Sequence, residues 1–348
     1  MNLNDLLNHT SEWLKGTGPH SDIVISSRIR LARNLDKLMF PQWANKKQGE
    51  EALQLIVGSF PKAPFLKQTS IFKLAEVDNI DKQFLVERHL MSLEHTQKTN
   101  HKAILIDQEE VLSFMINEED HLRMQVMQSG FNLYEAWNII NQIDDSLAKE
   151  LSYAFSAEWG YLTACPTNTG TGMRGSVMLH LPALVITRQI DRVLAAIAKL
   201  SFTTRGLYGE GTQAMGNFFQ ISNQVSLGHS EDEIIRNING LIRQIIEQEN
   251  QAREALLAKS KAPLEDRVHR SYGILKSAHI ISSQETTELL SMVRLGCDMG
   301  MISNLDRRVI NELFIITQPA HLQKMENKKL SQEERDVKRA DIIRHKLV

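Results

Sequence analysis

Two arginines in the segment Ser26-Ser-Arg-Ile-Arg30 have the spacing of an anion-binding clamp. Arg28 and Arg30 alternate with the apolar Ile29, and in an extended strand such alternation places both guanidinium groups on one face. A guanidinium is a planar fork that binds phosphate or carboxylate through two hydrogen bonds. The segment therefore predicts an anion site, although an ordinary exposed strand edge with paired charges fits the same residues.

Three consecutive acids, followed by a histidine and an arginine, distinguish the segment from Asn117 to Arg123. Neighbouring carboxylates repel each other unless a cation lies between them. A bound metal ion or a guanidinium group would supply that cation. A solvated acidic turn is the alternative interpretation.

A loop rich in glycine and threonine covers residues 165–174 and ends on an arginine. Backbone N–H groups of such loops can approach phosphates closely. Gly170, Gly172 and Gly175 formally satisfy the dinucleotide pattern G-x-G-x-x-G, but that pattern requires a helix to begin at the loop. The residues that follow alternate like a strand and reach Pro182, which argues against a dinucleotide site. The sequence also lacks a Walker A lysine pattern and the kinase HRD and DFG motifs.

A second glycine-rich segment, residues 205–212, contains one cation, Arg205, and one carboxylate, Glu210. Such a loop could close over a ligand. A surface turn is the alternative.

Taken together, these segments predict one site for phosphoryl transfer, whose cations are Arg28, Arg30, Arg123, Arg174 and Arg205. Transfer of a phosphoryl group depends mainly on positioning and on neutralising spread negative charge. A guanidinium acceptor adds a requirement, because arginine stays protonated at neutral pH. Carboxylates, here Glu119 and Glu210, must align the acceptor and take its proton.

The composition excludes several other classes of protein. With 40 Lys+Arg against 42 Asp+Glu, the net charge of −2 offers no global field for direct nucleic-acid binding. The first residues lack a signal-peptide pattern, and no later stretch is apolar enough to predict a membrane span. The two cysteines, Cys165 and Cys297, are far apart, which favours a reducing compartment and hence the cytoplasm.

Periodicity predicts the elements that carry these residues. Strands are expected within residues 111–126 and 177–181, and helices within 131–155 and 188–200. A long helix begins at Ser230 with a capping box, Ser230-x-x-Glu233, and is expected to end before Pro263. The pattern beyond is helical, with further capping boxes at Ser282 and Ser331. We therefore place a boundary within residues 252–264, with a catalytic domain at 1–252 (core 22–252) and a helical domain at 264–348.

Two long motifs make the sequence similar to a known family. The loop C-P-T-N-T-G-T-G-M-R at residues 165–174 and the segment N-E-E-D-H-L-R at 117–123 resemble those of the ATP:guanido phosphotransferases, the creatine and arginine kinase family. The resemblance covers about residues 22–252. It implies an α+β catalytic domain with a largely antiparallel sheet flanked by helices, followed here by an all-helical domain. It also implies ATP with Mg²⁺ as cofactor, the metal receiving no ligand from protein side chains.

The resemblance assigns roles residue by residue. Glu119 orients and deprotonates the guanidinium, Glu210 is the second substrate carboxylate, and Cys165 tunes the site without acting as a nucleophile. ATP binding is assigned to Ser26, Ser27, Arg28, Ile29, Arg30, His89, Arg123, Arg174, Gly175, Ser176, Val177, Met178, Arg205, Gly206, Leu207, Tyr208, Gly209 and Glu210.

Two features resemble the bacterial protein-arginine kinases within that family. Only 25 residues precede Ser26, whereas the animal enzymes carry a longer helical domain there that helps to enclose a small substrate, and a helical domain is added at the C-terminus. Its residues Arg335, Asp336, Arg339 and Ala340 match the subfamily motif R-D-x-x-R-A, a pocket that binds phosphoarginine and activates the enzyme. A solvated, charged helix face is the alternative.

The expected function is therefore transfer of the γ-phosphate of ATP to arginine side chains of proteins. A kinase for free arginine or another small guanidino compound, and a non-catalytic phosphoarginine-binding regulator, are the competing interpretations. The resemblance further implies a homodimer that acts in stress response and protein quality control. The implied partners are protein substrates with exposed arginines, a heat-shock repressor, a zinc-finger activator protein and a Clp ATPase or protease.

Overall fold

An antiparallel sheet of eight strands, in the order β2-β3-β4-β5-β1-β8-β10-β9, organises the described part of the catalytic region. The computed structural model describes residues 1–206 and 215–347. A separate two-stranded hairpin is formed by β6 (Phe155–Ser156) and β7 (Gly160–Tyr161). The eight strands are β1 (Val24–Arg33), β2 (Thr69–Lys73), β3 (Ala103–Asp107), β4 (Leu112–Ile116), β5 (Leu122–Ser129), β8 (Met173–His180), β9 (Phe202–Arg205) and β10 (Phe218–Asn223).

Helices pack on both faces of this sheet and make up the C-terminal region. The expected strands within 111–126 and 177–181 and the expected helices within 131–155 and 188–200 are confirmed, with somewhat different bounds. The helices are α1 (Lys46–Ser59), α2 (Asn79–Glu87), α3 (Leu133–Ala148), α4 (Pro182–Ile186), α5 (Ile190–Lys199), α6 (Glu231–Ser277), α7 (Ser283–Asp298), α8 (Arg307–Ile316), α9 (Pro319–Met325) and α10 (Gln332–Lys346). Helices α3 and α6 cover one face of the sheet, and α2 packs on the other face at β3 and β4. The expected α+β class is confirmed.

Strand β1 lies inside the sheet, between β5 and β8, and its side chains alternate strictly between two environments. Ile29 and Leu31 are fully buried, opposite Val126 and Met124 of β5, on the face that α3 and α6 cover. The alternate residues of β1, including Arg28, emerge on the other face. The interpretation of this segment as an exposed edge is therefore wrong, because both edges of β1 are hydrogen-bonded.

Helix α6 begins as expected, since the Ser230 side chain accepts from the backbone of Glu233 in a complete capping box. Ser260, with φ −146° and ψ 34°, breaks the helical conformation, so α6 consists of two helical segments joined at a kink, and the expected end before Pro263 is confirmed. Proline lacks an N–H group and its ring collides with the preceding turn of a helix. The second segment runs from the kink to Ser277, and Pro263 lies in its first turn, where a proline is tolerated.

The C-terminal helices pack directly on the catalytic region. The side chain of Arg294, in α7, is fully buried and donates to the carbonyl oxygens of Ser21 (2.7 Å) and Asp22 (3.3 Å). Its Nη1 also lies 3.0 Å from Nδ1 of His180 at the end of β8. One apolar core contains residues of the sheet and of α7, α8 and α10. Within the described ranges, no helix is both long and apolar enough to cross a membrane.

Candidate active site

Arginine side chains from β5, β1, β8 and β9 share the face of the sheet opposite α3 and α6, called here the arginine face, and β10 lies between β8 and β9. Strand register brings them there: Arg30 pairs with Arg174 of β8, Arg123 of β5 lies opposite Ala32, and Arg205 of β9 lies opposite Gln220 of β10. Arg28 joins them, one pleat along β1. The five arginines that the sequence prediction grouped therefore share one face of the sheet.

The cluster has a large excess of positive charge. Burial, followed by repulsion from the other arginines, lowers the pKa of Arg28 to about 9 and that of Arg30 well below its ordinary value. Within residues 1–206 and 215–347, neither side chain forms an ion pair with a carboxylate, and the buried Nε of Arg30 has no hydrogen-bond partner. Buried charges are costly unless paired, so this face is built to receive a polyanion.

Gln125 lies inside the arginine cluster and was not singled out by the sequence. It is buried, opposite Arg30, and its Nε2 donates to the carbonyl oxygen of His89 (2.8 Å) while its Oε1 accepts from Nη1 of Arg28 (3.4 Å). Burial and the charge of Arg28 lower the pKa of His89 to about 3, so its ring is neutral at physiological pH. Gln125 therefore links the histidine segment after α2 to the arginine face. Its place two residues after Arg123 in an alternating strand was the available signal.

The three acids before Arg123 have different environments. Glu118 receives hydrogen bonds from Nη1 of Arg123 (2.7 Å) and from the Ser92 hydroxyl. Burial opposes ionisation, but Arg123 holds the pKa of Glu118 at about 2. Asp120 is buried and accepts from the Asn34 side chain (2.6 Å). The interpretation as a solvated acidic turn is wrong for these two residues.

Glu119 is the remaining acid of this segment, and its carboxylate has no side-chain partner among the residues described. Its backbone carbonyl accepts from Nε2 of Gln42 (2.6 Å), which fixes the segment while leaving the carboxylate available. Burial, followed by the neighbouring charge of Asp120, raises the pKa of Glu119. The arrangement provides one half-buried carboxylate for a cationic acceptor, next to the arginine face.

Asp120 ties the acidic segment to the glycine-rich loop, because its Oδ1 accepts from the backbone N–H of Ala164 (2.7 Å). In that loop, Sγ of Cys165 lies 3.0 Å from Oγ1 of Thr167. Gly172 has φ +65°, and its carbonyl accepts from the N–H of Ala32 (2.9 Å). A Cβ at Gly172 would lie 2.6 Å from the Ala32 oxygen, so glycine is required for the loop to press against β1. Strand β8 follows the loop, which excludes the dinucleotide alternative.

The other predicted nucleotide residues divide between the two faces of the sheet. Ser26, Ser176 and Met178 share the arginine face, since Ser176 is opposite Arg28 and Met178 opposite Ser26. Ser27, Ile29, Gly175 and Val177 occupy the alternate positions, so their side chains belong to the opposite face. Gly206 follows β9. The predicted residues Leu207, Tyr208, Gly209 and Glu210 lie outside the described residues.

The four predicted phosphoarginine residues lie on α10. Arg339 is buried and donates to the carbonyls of Thr317 and Ile281 (both 2.9 Å), and it pairs with Asp336. Arg335 is half-buried. Ala340 is buried, so a fully solvated face is wrong for this helix.

Glu87, at the end of α2, lies close enough to Arg335 and Arg339 for their charges to influence its pKa. It accepts from the backbone N–H groups of Ala320 (2.8 Å) and His321 (3.0 Å), and burial raises its pKa to about 7. The His321 ring bridges Glu87, 3.0 Å from Nδ1, and Nη1 of Arg88, 3.4 Å from Nε2. No local pattern in the sequence predicts this contact.

Arg88 continues this network toward the arginine face. Its guanidinium is buried against Glu110, with Nε 2.8 Å from Oε2, and it donates to the Ser11 hydroxyl (2.8 Å). The next residue is His89, whose carbonyl receives the Gln125 hydrogen bond. The charges of Arg335 and Arg339 act on Glu87, and covalent bonds and buried polar contacts connect Glu87 to Arg28.

Comparisons with known proteins agree with this geometry. Residues 52–252 match the family model of the ATP:guanido phosphotransferase C-terminal catalytic domain, and residues 261–348 match that of the protein-arginine kinase McsB C-terminal domain. The chain is 49% identical to a protein-arginine kinase of Halothermothrix orenii over 348 residues, covering 100% of this chain and 99% of the other.

Solved structures of the same family are also similar. Lombricine kinase is 26% identical, with a TM-score of 0.59 and 67% of each chain covered. The duplicated taurocyamine kinase of Schistosoma mansoni is 26% identical with a TM-score of 0.61, and the match covers 68% of this chain but 34% of that longer one. Glu119, Arg123, Arg174 and Arg205 thus lie within residues 52–252, which match the catalytic family model, whereas Arg28 and Arg30 precede them. The full-length similarity covers all of these residues and extends through α10. The chain belongs to the ATP:guanido phosphotransferases, enzymes that transfer phosphate to guanidino groups, and within them to the protein-arginine kinases.

Proposed function

We propose that this enzyme transfers the γ-phosphate of ATP to arginine side chains of proteins. The observation that carries the proposal is the position of Glu119, an available carboxylate four residues before Arg123 of the arginine face. A site with excess cations on one side and an available carboxylate beside them matches a polyphosphate donor and a guanidinium acceptor. The protein-arginine kinases to which the chain is similar support protein-bound arginine as that acceptor.

The arginine face binds the nucleotide phosphates in this proposal. The buried, unpartnered Nε of Arg30 supports this, since a phosphate oxygen would supply its missing acceptor. Mg²⁺ would be held mainly by phosphate oxygens and water, the ligands that this ion commonly keeps in kinase sites. When bound, the ion neutralises charge on the transferring phosphate.

The reaction requires the acceptor to lose a proton. Glu119 orients the guanidinium and takes the proton from the attacking nitrogen as the new P–N bond forms. The bond between the γ-phosphorus and its bridging oxygen breaks, and ADP leaves with that electron pair. Glu210 is proposed as a second carboxylate on the acceptor, and Cys165 as a residue that tunes the site without forming a covalent intermediate.

Mass spectrometry tests the proposal most directly. The enzyme is incubated with Mg-ATP and either a denatured protein or free arginine, and phosphoarginine is quantified in each. We expect it on arginine residues of the protein. Acid-labile phosphate on the free amino acid alone would support the small-substrate kinase instead, and phosphoarginine binding without turnover on either acceptor would support the non-catalytic regulator.

The environment of Glu119 predicts a pH dependence. The carboxylate must be ionised to accept a proton, and burial and then Asp120 raise its pKa. Activity should therefore be lost, as the pH falls, at a higher pH than an ordinary glutamate would give. The measurement is kcat/KM for the protein acceptor against pH at saturating Mg-ATP, which reports the enzyme before the acceptor binds, with nucleotide binding measured over the same range. An acidic limb at or below the usual glutamate range would contradict this role.

We also propose that α10 binds phosphoarginine and thereby activates the enzyme. Arg335 and Arg339 suit the phosphate, and Asp336 suits the remaining guanidino nitrogens. The contacts from Glu87 through His321 and Arg88 to His89 support a physical connection with the nucleotide site. A ligand that draws Arg335 or Arg339 away from Glu87 would alter the charge balance at α2.

Combined substitution Arg335→Ala and Arg339→Ala is expected to blunt activation by added phosphoarginine. The kinase rate is measured with and without this activator. Because Arg339 also bonds two backbone carbonyls, Arg335→Ala alone separates ligand binding from structural damage, with thermal melting as a check. Arg344→Ala, on the same helix, is the matched control. Unchanged activation in the double variant would remove this site.

The remaining family expectations are proposals of the same kind. They comprise a cytoplasmic, dimeric enzyme in stress response and protein quality control, acting with a heat-shock repressor, a zinc-finger activator protein and a Clp ATPase or protease. We retain the division into residues 1–252 and 264–348 as one of functions, catalysis and regulation. The shared core does not require the two parts to fold separately.

A further inference from the structure

An exposed tryptophan lies on the loop that contacts the segment carrying Glu119, the carboxylate proposed to bind the acceptor. Trp43 is 74% exposed, and Met39 in the same loop is 47% exposed. Single exposed apolar side chains are common on protein surfaces. Trp43 differs because its loop, residues 37–45, contacts the acidic segment directly. Tryptophan is also enriched among the residues that dominate binding energy at protein interfaces.

Several contacts hold this loop in place. Gln42 donates to the Glu119 carbonyl (2.6 Å), and Nε2 of His121 lies 3.0 Å from the Met39 carbonyl oxygen. The Phe40 ring packs edge-on against His121, with centroids 6.4 Å apart. It also lies nearly parallel to the Trp43 ring, with an interplanar angle of 6° and centroids 6.4 Å apart. The loop that orients the indole is therefore anchored to the segment that carries Glu119.

The hairpin of β6 and β7 presents further exposed aromatic rings and is joined to the same segment. Phe155 is 62% exposed and Trp159 49% exposed. The preceding residue, Ala154, donates to the backbone carbonyl of Asn34 (2.8 Å), whose side chain bonds Asp120. Both aromatic segments are thus anchored to the residues that flank Glu119.

The exposed aromatic rings bear on whether the acceptor is free arginine or an arginine residue of a polypeptide. Glu119 can recognise a guanidinium, but a carboxylate alone does not separate free arginine from an arginine residue. A polypeptide carries side chains on both sides of its arginine, and exposed aromatic rings beside the site would contact them. Such rings bind apolar groups, and they also attract cations over their faces.

We propose that Trp43, oriented by Phe40, forms a docking surface for the polypeptide that flanks the acceptor arginine, with the β6–β7 hairpin extending it. The occupant is an accessible segment with apolar residues next to arginine, as in an unfolded protein. This inference deepens the proposed function and rests on it for the identity of the acceptor. Trp43 is a specificity residue in this scheme and takes no part in the chemistry.

The test uses the full chain and a fluorescein-labelled peptide with one arginine flanked by leucines. Anisotropy titration gives the peptide Kd, and initial rates give KM and kcat. Trp43→Ala is expected to raise Kd and KM for the peptide on the order of tenfold, with ATP affinity, kcat and thermal melting unchanged. Trp43→Phe should restore most of the affinity.

Tyr134→Ala is the matched control, because Tyr134 is 51% exposed on α3, which covers the opposite face of the sheet. It should bind the peptide as the wild type does. Equal peptide affinity in wild type and Trp43→Ala, or no peptide binding by the wild type, would overturn the docking surface. If Trp43→Ala loses binding but the wild type forms no phosphoarginine, the docking surface stands and the proposed function fails.

Discussion

Replacing Glu119 with glutamine is expected to lower kcat for arginine phosphorylation by roughly 10²- to 10⁴-fold, the usual contribution of a general base. Glutamine keeps the shape of the side chain but cannot accept the proton at neutral pH. Glu118 cannot substitute, because Arg123 and Ser92 engage it, and Asp120 is held by Asn34 and the loop backbone. The measurement is single-turnover formation of phosphoarginine on a denatured protein with saturating Mg-ATP.

The control for this variant is Glu94→Gln. Glu94 is exposed, and its charge is close enough to influence the pKa of Glu119, so this variant removes a nearby negative charge without touching the proposed base. It should retain nearly full kcat. Nucleotide affinity should be similar in both variants. A Glu119→Gln enzyme with wild-type kcat would show that another group takes the proton.

Replacing Arg30 with methionine is expected to weaken nucleotide binding while making the nucleotide-free protein more stable. The side chain is a buried cation among other cations, and its Nε lacks a partner within the described ranges. An apolar replacement removes that repulsion, which corresponds to roughly 1–4 kcal/mol in favour of folding in comparable buried sites. Loss of a charge that contacts phosphate should weaken ATP binding by roughly 10²-fold or more. Thermal melts with and without Mg-ATP measure both effects.

Arg33→Met, on the same strand, is a control for which the opposite change in stability is expected. Arg33 is more deeply buried, with 2% of its side chain exposed, and is bonded to Asp144 through Nε and Nη2, with a shortest distance of 2.6 Å. Removing it leaves an unpaired buried carboxylate, which should destabilise the fold by roughly 3–5 kcal/mol. A lower melting temperature for nucleotide-free Arg30→Met, together with intact ATP binding, would contradict our account of the arginine face.

Local pattern predicted the parts of the site that depend on a single strand. The alternation of Arg28 and Arg30 correctly placed both on one face, because side chains in a strand have a period of two. The sequence could not order the strands, so the position of β1 between β5 and β8 was visible only in the fold. Family motifs, and not periodicity, brought Arg123 and Arg174 into the same prediction.

Long-range contacts account for most of what the sequence could not predict. Three adjacent acids look alike in the sequence, and only their tertiary partners leave Glu119 available. The contact between Glu87 and His321 joins residues 234 positions apart, for which no local pattern exists. The end of the first segment of α6 was predicted correctly because a proline interrupts a helix, and the kink lies at Ser260, three residues before Pro263.

The burial of Arg294 has a consequence for how such proteins can be recombined. The two family models meet between residues 252 and 261, inside α6. The buried guanidinium of Arg294, farther along the chain, nevertheless contacts Ser21, Asp22 and His180 of the catalytic region. A fragment cut at that junction would expose the carbonyls and apolar surface that α7 now covers. Chimeras that exchange the C-terminal segment between relatives must therefore transfer the receiving residues with it. The segment that each family model matches is therefore smaller than the part of the chain that shares one core.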